Sequence, residues 1–263
     1  MRVIGRSVPR LEDEPLLKGE GRFIDDLRLP GMLHAAFVRS PHAHAAIRRI
    51  DKAPALALPG VHALFTRADL LPHLATEFMV VGLPSASYKQ DFNRPALAGD
   101  EVVHVGQAVA IVVAEDRYIA EDAAALVEID YQALPAVSDC RAALAAGAPK
   151  VHRNSPHNLL AEFDMAYGDV DAAFKKAAHV LRESLWQHRG GGHSIECRGA
   201  VALHSAMEDQ LTLWSSTQMP HAAQRLLCDM LGRDEDQVRV ITPDVGGGFG
   251  PNPPPTSGVM TRT

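Results

Sequence analysis

Three stretches of the 263-residue sequence carry residue types that could do chemistry. The first is Gly246-Gly247-Gly248-Phe249-Gly250, which follows the strand-like run VRVIT at 238–242. Glycine reaches φ values closed to other residues and has no side chain to block a ligand. Consecutive glycines can therefore aim several backbone N–H groups at one anionic phosphate or oxo group. The run departs from the common nucleotide motifs: a G-x-G-x-x-G would need glycine where Pro251 stands, and there is no Gly-Lys-Ser/Thr. A tight turn is the alternative reading on spacing alone.

The second stretch is Ser215-Ser216-Thr217-Gln218, at the end of the strand-like LTLWSST (211–217) and just before Pro220. Ligands collect at strand ends and helix starts in α/β proteins, and a glutamine there offers both a donor and an acceptor. Helix capping explains Ser or Thr well but does not require Gln218. The third stretch is RGGGHSIECRGAVA at 189–202, where an extended chain would put Glu196 and Arg198 on one side as a buried ion pair. Glu196 reads better as a carboxylate supporting this loop than as a general base, and Gly190 to Gly192 bring backbone close to something.

His42 and His44 form an H-x-H pair without a third ligand nearby or an H-E-x-x-H motif, so they read as loop histidines rather than a metal site. The three cysteines, Cys140, Cys197 and Cys228, are far apart and show no C-x-x-C, which fits reduced thiols. Cys197 sits beside Arg198 but lacks a paired base in the neighbouring sequence, so it is not read as a nucleophile.

These residues need elements to hold them, and the composition supports a folded chain. Apolar residues make up 46% and charged residues 22%, as in ordinary globular proteins. Lys plus Arg number 26 against 32 Asp plus Glu, and the net charge of −6 argues against nucleic-acid binding. No apolar run approaches the roughly 20 residues of a membrane span, and the start does not resemble a signal peptide, so a cytoplasmic location is expected.

Hydrophobic periodicity predicts strands at 32–40, 46–50 and 61–66, a loop-rich stretch at 72–100, and a two-sided central strand from Val102 to Val113. A helix follows with Ala120, Ala123, Ala124 and Val127 on one face, then a strand through Val127, Ile129 and Tyr131. Beyond, Gly168-Asp169 opens a helix with Val170, Ala173, Phe174 and Ala177 on one face, and Val180 begins an extended segment. Pro220 suits the start of a helix that Gly232 would end. The expected organisation is an arm at 1–15, an α/β domain at 16–135, a linker at 136–149, the first part of a second domain at 150–250, and an atypical proline-rich tail at 251–263. That tail is expected to add nothing to a sheet.

The ordered pieces IGRSVPRLED, KGEGRFIDD, RSPHAHAAI, DEVVHVGQAVAIVVAED, ALVEIDYQALPAV, IECRGAVA, WSSTQMPHAAQ and VGGGFG resemble the molybdenum-binding large subunit of the xanthine dehydrogenase and aldehyde oxidase family, across residues 3–250. The resemblance implies a mixed α/β (α+β) fold: a hammerhead α/β domain at 16–135, then the start of a molybdopterin-binding α+β domain. It implies oxidative hydroxylation of an aldehyde, purine or N-heterocycle with water as the oxygen source. The cofactor would be molybdenum–molybdopterin, as such or in a dinucleotide form, and the partners would be iron–sulfur and FAD-binding subunits or domains.

Carried over by motif, Gln218 would hydrogen-bond an oxygen ligand of the molybdenum, and the backbone at Gly247, Gly248 and Phe249 would approach the cofactor. Phe249 would face the substrate or serve packing. The family's base glutamate lies downstream of this sequence, so no catalytic residue is expected here and Glu196 is not that base. Two departures stand out: many relatives have proline in place of Cys197, and the family follows GGGFG with one residue and a lysine, whereas here Pro251-Asn252 open the proline-rich tail. The expectation is therefore a truncated amino-terminal portion of such a subunit, inactive and not retaining cofactor alone. The rival expectations are one half of a split subunit completed by the missing C-terminal part on a second chain, and a non-catalytic assembly or binding module.

Overall fold

The computed structural model of the protein describes residues 3–80, 85–91, 93–187 and 190–250, together with the backbone of Val259–Met260. A short helix, α1 (Asp13–Leu17), leads into β1 (His34–Arg39), β2 (Ala45–Asp51), α2 (Ala53–Leu56), β3 (Val61–Thr66) and α3 (Arg67–Leu70). Two-residue strands β4 (Phe78–Met79), β5 (Arg94–Pro95) and β6 (Glu101–Val102) precede β7 (Ala108–Ala114), α4 (Arg117–Ala125) and β8 (Glu128–Ala133).

The centre of this first unit is β7, whose sequence AVAIVVA is buried at six of seven positions. It lies between β1 and β3, antiparallel to both, with Ile111 opposite Phe37 on one side and Phe65 on the other. Its alternate residues serve two cores. Ala110 and Val112 pack with Val38, Leu64, Ala55 of α2 and Ala123 of α4. Val109 packs with Ala45, Ala98 and Val102, beneath the second sheet, β6-β2-β8. Each buried valine removes enough apolar surface to contribute about 1.5–3 kcal/mol. Asp116 caps α4, accepting the Ile119 N–H at 2.8 Å, and the small Ala120 and Ala123 let the helix sit close on the sheet.

One expectation for this unit fails. The predicted strand from Val102 to Val113 is two strands in different sheets: β6 pairs with β2, while β7 pairs with β1 and β3. Gly106, at φ +82°, turns the chain between them, and Gln107 Oε1 accepts the Val103 N–H at 2.8 Å. The apolar pattern continues through the turn because Val105 is apolar yet 65% exposed, so periodicity alone could not locate the break.

The following segment straps itself onto the first unit. Lys89 N–H donates to Leu160 O and Glu162 N–H to Ser87 O, both at 2.9 Å. Glu101 accepts from Arg153 Nε at 2.8 Å, with His152 Nδ1 at 3.7 Å and His44 Nε2 at 3.6 Å. His44 Nδ1 lies 2.7 Å from Pro135 O; a carbonyl only accepts, so Nδ1 carries the proton. The His42 ring turns elsewhere, against Tyr131.

The second unit contains α5 (Val170–Lys176), β9 (Ala200–Ser205), β10 (Gln210–Ser215), α6 (Pro220–Leu231), β11 (Val238–Ile241) and β12 (Val259–Met260). Strands β9 and β10 form an antiparallel hairpin, and α6 carries the chain over to β11, parallel to β10. Pro220 opens α6 and Gly232, at φ +63°, ends it, while Ala223, Cys228 and Met230 are buried. The extended segment expected from Val180 pairs with no strand among the described residues. The tail, expected to add nothing to a sheet, supplies β12, parallel to Val201–Ala202 of β9. An open strand edge offers unpaired N–H and C=O groups, and Val259–Met260 lie past the prolines that could not pair. The rest of the tail lies outside the described residues. No helix among the described residues is long and apolar enough to cross a membrane.

Candidate functional site

The end of β10 is buried, with Ser215, Ser216 and Thr217 all 1–3% exposed. Their hydroxyls serve the local backbone. Gly199 N–H donates to Ser216 Oγ at 3.0 Å, Ser216 N–H donates to Gly199 O at 3.2 Å, and Thr217 Oγ1 accepts the Met219 N–H at 3.1 Å. Gln218 comes next, is exposed, and makes no hydrogen bond among the described residues. The N-cap of α6 is Met219, whose N–H Thr217 holds, and no side chain caps the helix, so Gln218 is not explained as a cap.

The glycine loop reaches the same place from β11. Asp244 fixes its entry, donating its N–H to Arg22 O at 3.0 Å and accepting the Arg22 N–H at 2.8 Å. Glu196 then clamps it: one carboxylate oxygen accepts the Gly246 N–H at 2.8 Å and the other accepts the Ile24 N–H at 3.2 Å. The supporting role read for Glu196 is what its contacts show. The Glu196–Arg198 ion pair is not formed, because the chain bends at Ile195–Glu196 and loses the two-residue alternation, leaving Arg198 exposed.

Past Gly246 the loop lies against Gln218 and the 190–194 segment. A methyl group on Gly248 would overlap the Gln218 amide oxygen. On Gly247, at φ +127°, it would meet Ser194 Oγ at 2.9 Å, and the Ser194 hydroxyl donates to Gly247 O at 2.5 Å. Phe249 takes φ +47°, a left-handed conformation that costs a bulky residue about 1–2 kcal/mol, and its ring is turned outward at 73% exposure. Its Cβ occupies the space that a side chain at Gly192 would need, which explains glycine at that position, whereas a side chain at Gly191 would meet nothing.

Gln218, Gly247, Gly248 and Phe249 are therefore gathered at one surface, although Gln218 lies 28 positions before Gly246, where the loop begins. Ser194 was missed by the sequence reading, and the adjacent glycines were its only signal. Below the loop, a cleft of about 780 Å³ opens between the two units, with Ile24, Leu27, Met32, Ile195 and Cys197 in its lining. The three cysteines are free thiols, with Cys140 and Cys197 exposed and Cys228 buried. Among the described residues no cluster of three or more His, Cys, Asp or Glu could ligate a metal. What the site offers instead is an unengaged amide and glycine backbone, a donor and acceptor set suited to an oxygen-rich anionic group.

Two family models match the chain. Residues 18–135 match the a/b hammerhead domain of aldehyde oxidase and xanthine dehydrogenase, and residues 151–258 match the molybdopterin cofactor-binding domain. The nicotine 6-hydroxylase large subunit of Paenarthrobacter nicotinovorans is 42% identical over 94% of this chain and 30% of its own length. The carbon monoxide dehydrogenase large chain of Afipia carboxidovorans is 37% identical over 94% of this chain and 31% of its own. Among solved structures, quinoline 2-oxidoreductase from Pseudomonas putida 86 superposes with a TM-score of 0.83 at 39% identity, covering 95% of this chain and 31% of that one. The chain thus spans about 30% of the length of these two relatives.

Proposed function

The chain belongs to the aldehyde oxidase and xanthine dehydrogenase family of molybdopterin-binding proteins, and from that premise we propose that it supplies the hammerhead domain and one wall of the cofactor site of a molybdenum hydroxylase large subunit. The activity of the whole subunit would be oxidative hydroxylation of an aldehyde, purine or N-heterocycle with water as the oxygen source. Iron–sulfur and FAD-binding partners would carry the electrons away.

The observation that carries this reading is the unengaged Gln218 amide packed over Gly248. When bound, molybdenum–molybdopterin, as such or in a dinucleotide form, supplies the two-electron acceptor. Gln218 would donate its amide N–H to an oxygen of that group, and the Gly247–Phe249 backbone would approach it without side chains in the way. Glu196 holds the loop in position beforehand, so the donors need not reorganise when the group binds. Both Glu196 oxygens already accept backbone N–H groups, which leaves it unsuited to act as the proton-accepting base.

The test uses this chain produced together with the remaining part of a large subunit and its partner subunits. Gln218→Ala should lower turnover by about 10² while protein yield stays the same, the usual consequence of removing one preorganised donor. Unchanged turnover at full molybdenum occupancy would return Gln218 to a surface role. Produced alone, the chain should hold well under one molybdenum per molecule, because a cofactor held by several segments needs all of them.

A further inference from the structure

The first unit reaches the site through the short turn Ile24–Asp26. Asp26 closes the turn by accepting the Phe23 N–H at 2.9 Å, and Arg117 of α4 pairs with Asp25, which ties the turn to the first unit. Ile24 is 6% exposed and meets the supports of both arms of the site. On the glycine-loop arm, its N–H donates at 3.2 Å to the Glu196 carboxylate, whose other oxygen accepts the Gly246 N–H at 2.8 Å. A carboxylate has two acceptor oxygens and can bridge donors from two units in this way.

On the Gln218 arm, the contact is made by the side chain. A methyl group on Gly199 would meet Ile24 Cγ2 at 2.8 Å and Cβ at 3.3 Å, so Ile24 lies directly on that glycine. Gly199 is in turn paired with Ser216, two residues before Gln218, through its N–H to Oγ at 3.0 Å and its carbonyl to the Ser216 N–H at 3.2 Å. A β-branched side chain is stiff at χ1, which suits it to hold two pieces of backbone at a fixed separation.

We propose that Ile24 is a positioning residue of the cofactor site, setting the spacing between Gln218 and Gly248 from the other unit. Its N–H steadies the glycine loop through Glu196, and its γ carbons steady the end of β10 through Gly199. It acts through these residues rather than on the bound group. The use of that spacing rests on the proposed function, but the spacing itself is read without cofactor.

The test is hydrogen exchange of the full chain without cofactor. Phe23 is extended at φ −107° and ψ 171°, and Ile24 opens its turn, so Ile24→Pro removes the N–H at a position that accepts proline. It should speed exchange of the Gly246 amide at least about tenfold while amides of 108–125 keep their rates. Ile24→Ala keeps the N–H but removes both γ carbons, and should speed the Ser216 amide about threefold or more. Ile24→Val keeps the N–H and both γ carbons and should match the unsubstituted chain. Ile24→Ala/Gly199→Ala puts a methyl group back into the gap and should restore the Ser216 rate. Unchanged Gly246 exchange in the folded proline variant, acceleration spread equally over 108–125, or a valine variant that behaves like alanine would each overturn the proposal. If the proline variant does not fold, the alanine, valine and double variants decide it. Gln218→Ala should leave all these rates unchanged, so failure of the cofactor reading and failure of this one are read separately.

Discussion

Residues 18–135 and 151–250 are comparable in length and carry elements of similar quality, yet the second buries them only from β9 onward. In the first unit β7 is covered on both faces, by α2 and α4 on one side and by the β6-β2-β8 layer on the other. In the second, β9, β10, β11 and α6 make a small packed layer, whereas α5 and the strand-like 178–187 are exposed, with the Arg141 guanidinium over the Trp186 ring. Both regions obey the same local rules of capping and periodicity. The difference teaches that amphipathic patterning specifies an element and the need for a partner, while stability comes only when the partner surface is present.

The largest expected contrast is in local opening. Limited proteolysis of the full chain should leave a resistant fragment close to 18–135 and cut first within 160–187, because cleavage follows the population of open states. Equal resistance of both regions in a monomer would break the comparison. A smaller and sharper version uses two leucines. Leu64, 7% exposed in the β7 core, should destabilise the chain by about 3 kcal/mol on Leu64→Ala, while the 91% exposed Leu181 should change stability by less than about 0.5 kcal/mol on Leu181→Ala. Urea unfolding followed by circular dichroism reads both, and similar shifts in the two variants would show that 181 is packed.

The smallest effect is a pH dependence confined to the first unit. Burial alone would push the Asp69 carboxyl upward, but Lys52, the Thr66 hydroxyl and the Thr66 N–H hold it down at about 2. A depressed folded pKa means the contribution is fully present above the unfolded value of about 3.9 and is lost as pH falls towards 2. The side chain is 37% exposed, so solvent screening limits the contribution to about 1 kcal/mol. Asp69→Asn should therefore lower the urea midpoint at pH 6, and the gap from the unsubstituted chain should close as pH is lowered through that window. A gap that persists unchanged at pH 2 would assign the loss to packing rather than charge.

Local signals in the sequence determined much of this architecture. Pro220 and Gly232 bound α6, Asp116 and Asp169 cap α4 and α5, and the apolar run around 108–114 marks a central strand. Each depends on dihedral preference or on side-chain spacing within one element, which the order of residues states directly. Gln218 and the glycine loop were also legible as separate candidates, because their residue types are unusual at a strand end and after a strand. Only tertiary structure decided that Gly248 lies under Gln218, that Glu196 clamps Gly246 instead of pairing with Arg198, and that Gly192 makes room for Phe249. It also decided that Val102 and Val109 belong to strands in different sheets. These outcomes depend on contacts between residues tens of positions apart, where the competing arrangements share the same local pattern and differ only in which surfaces meet.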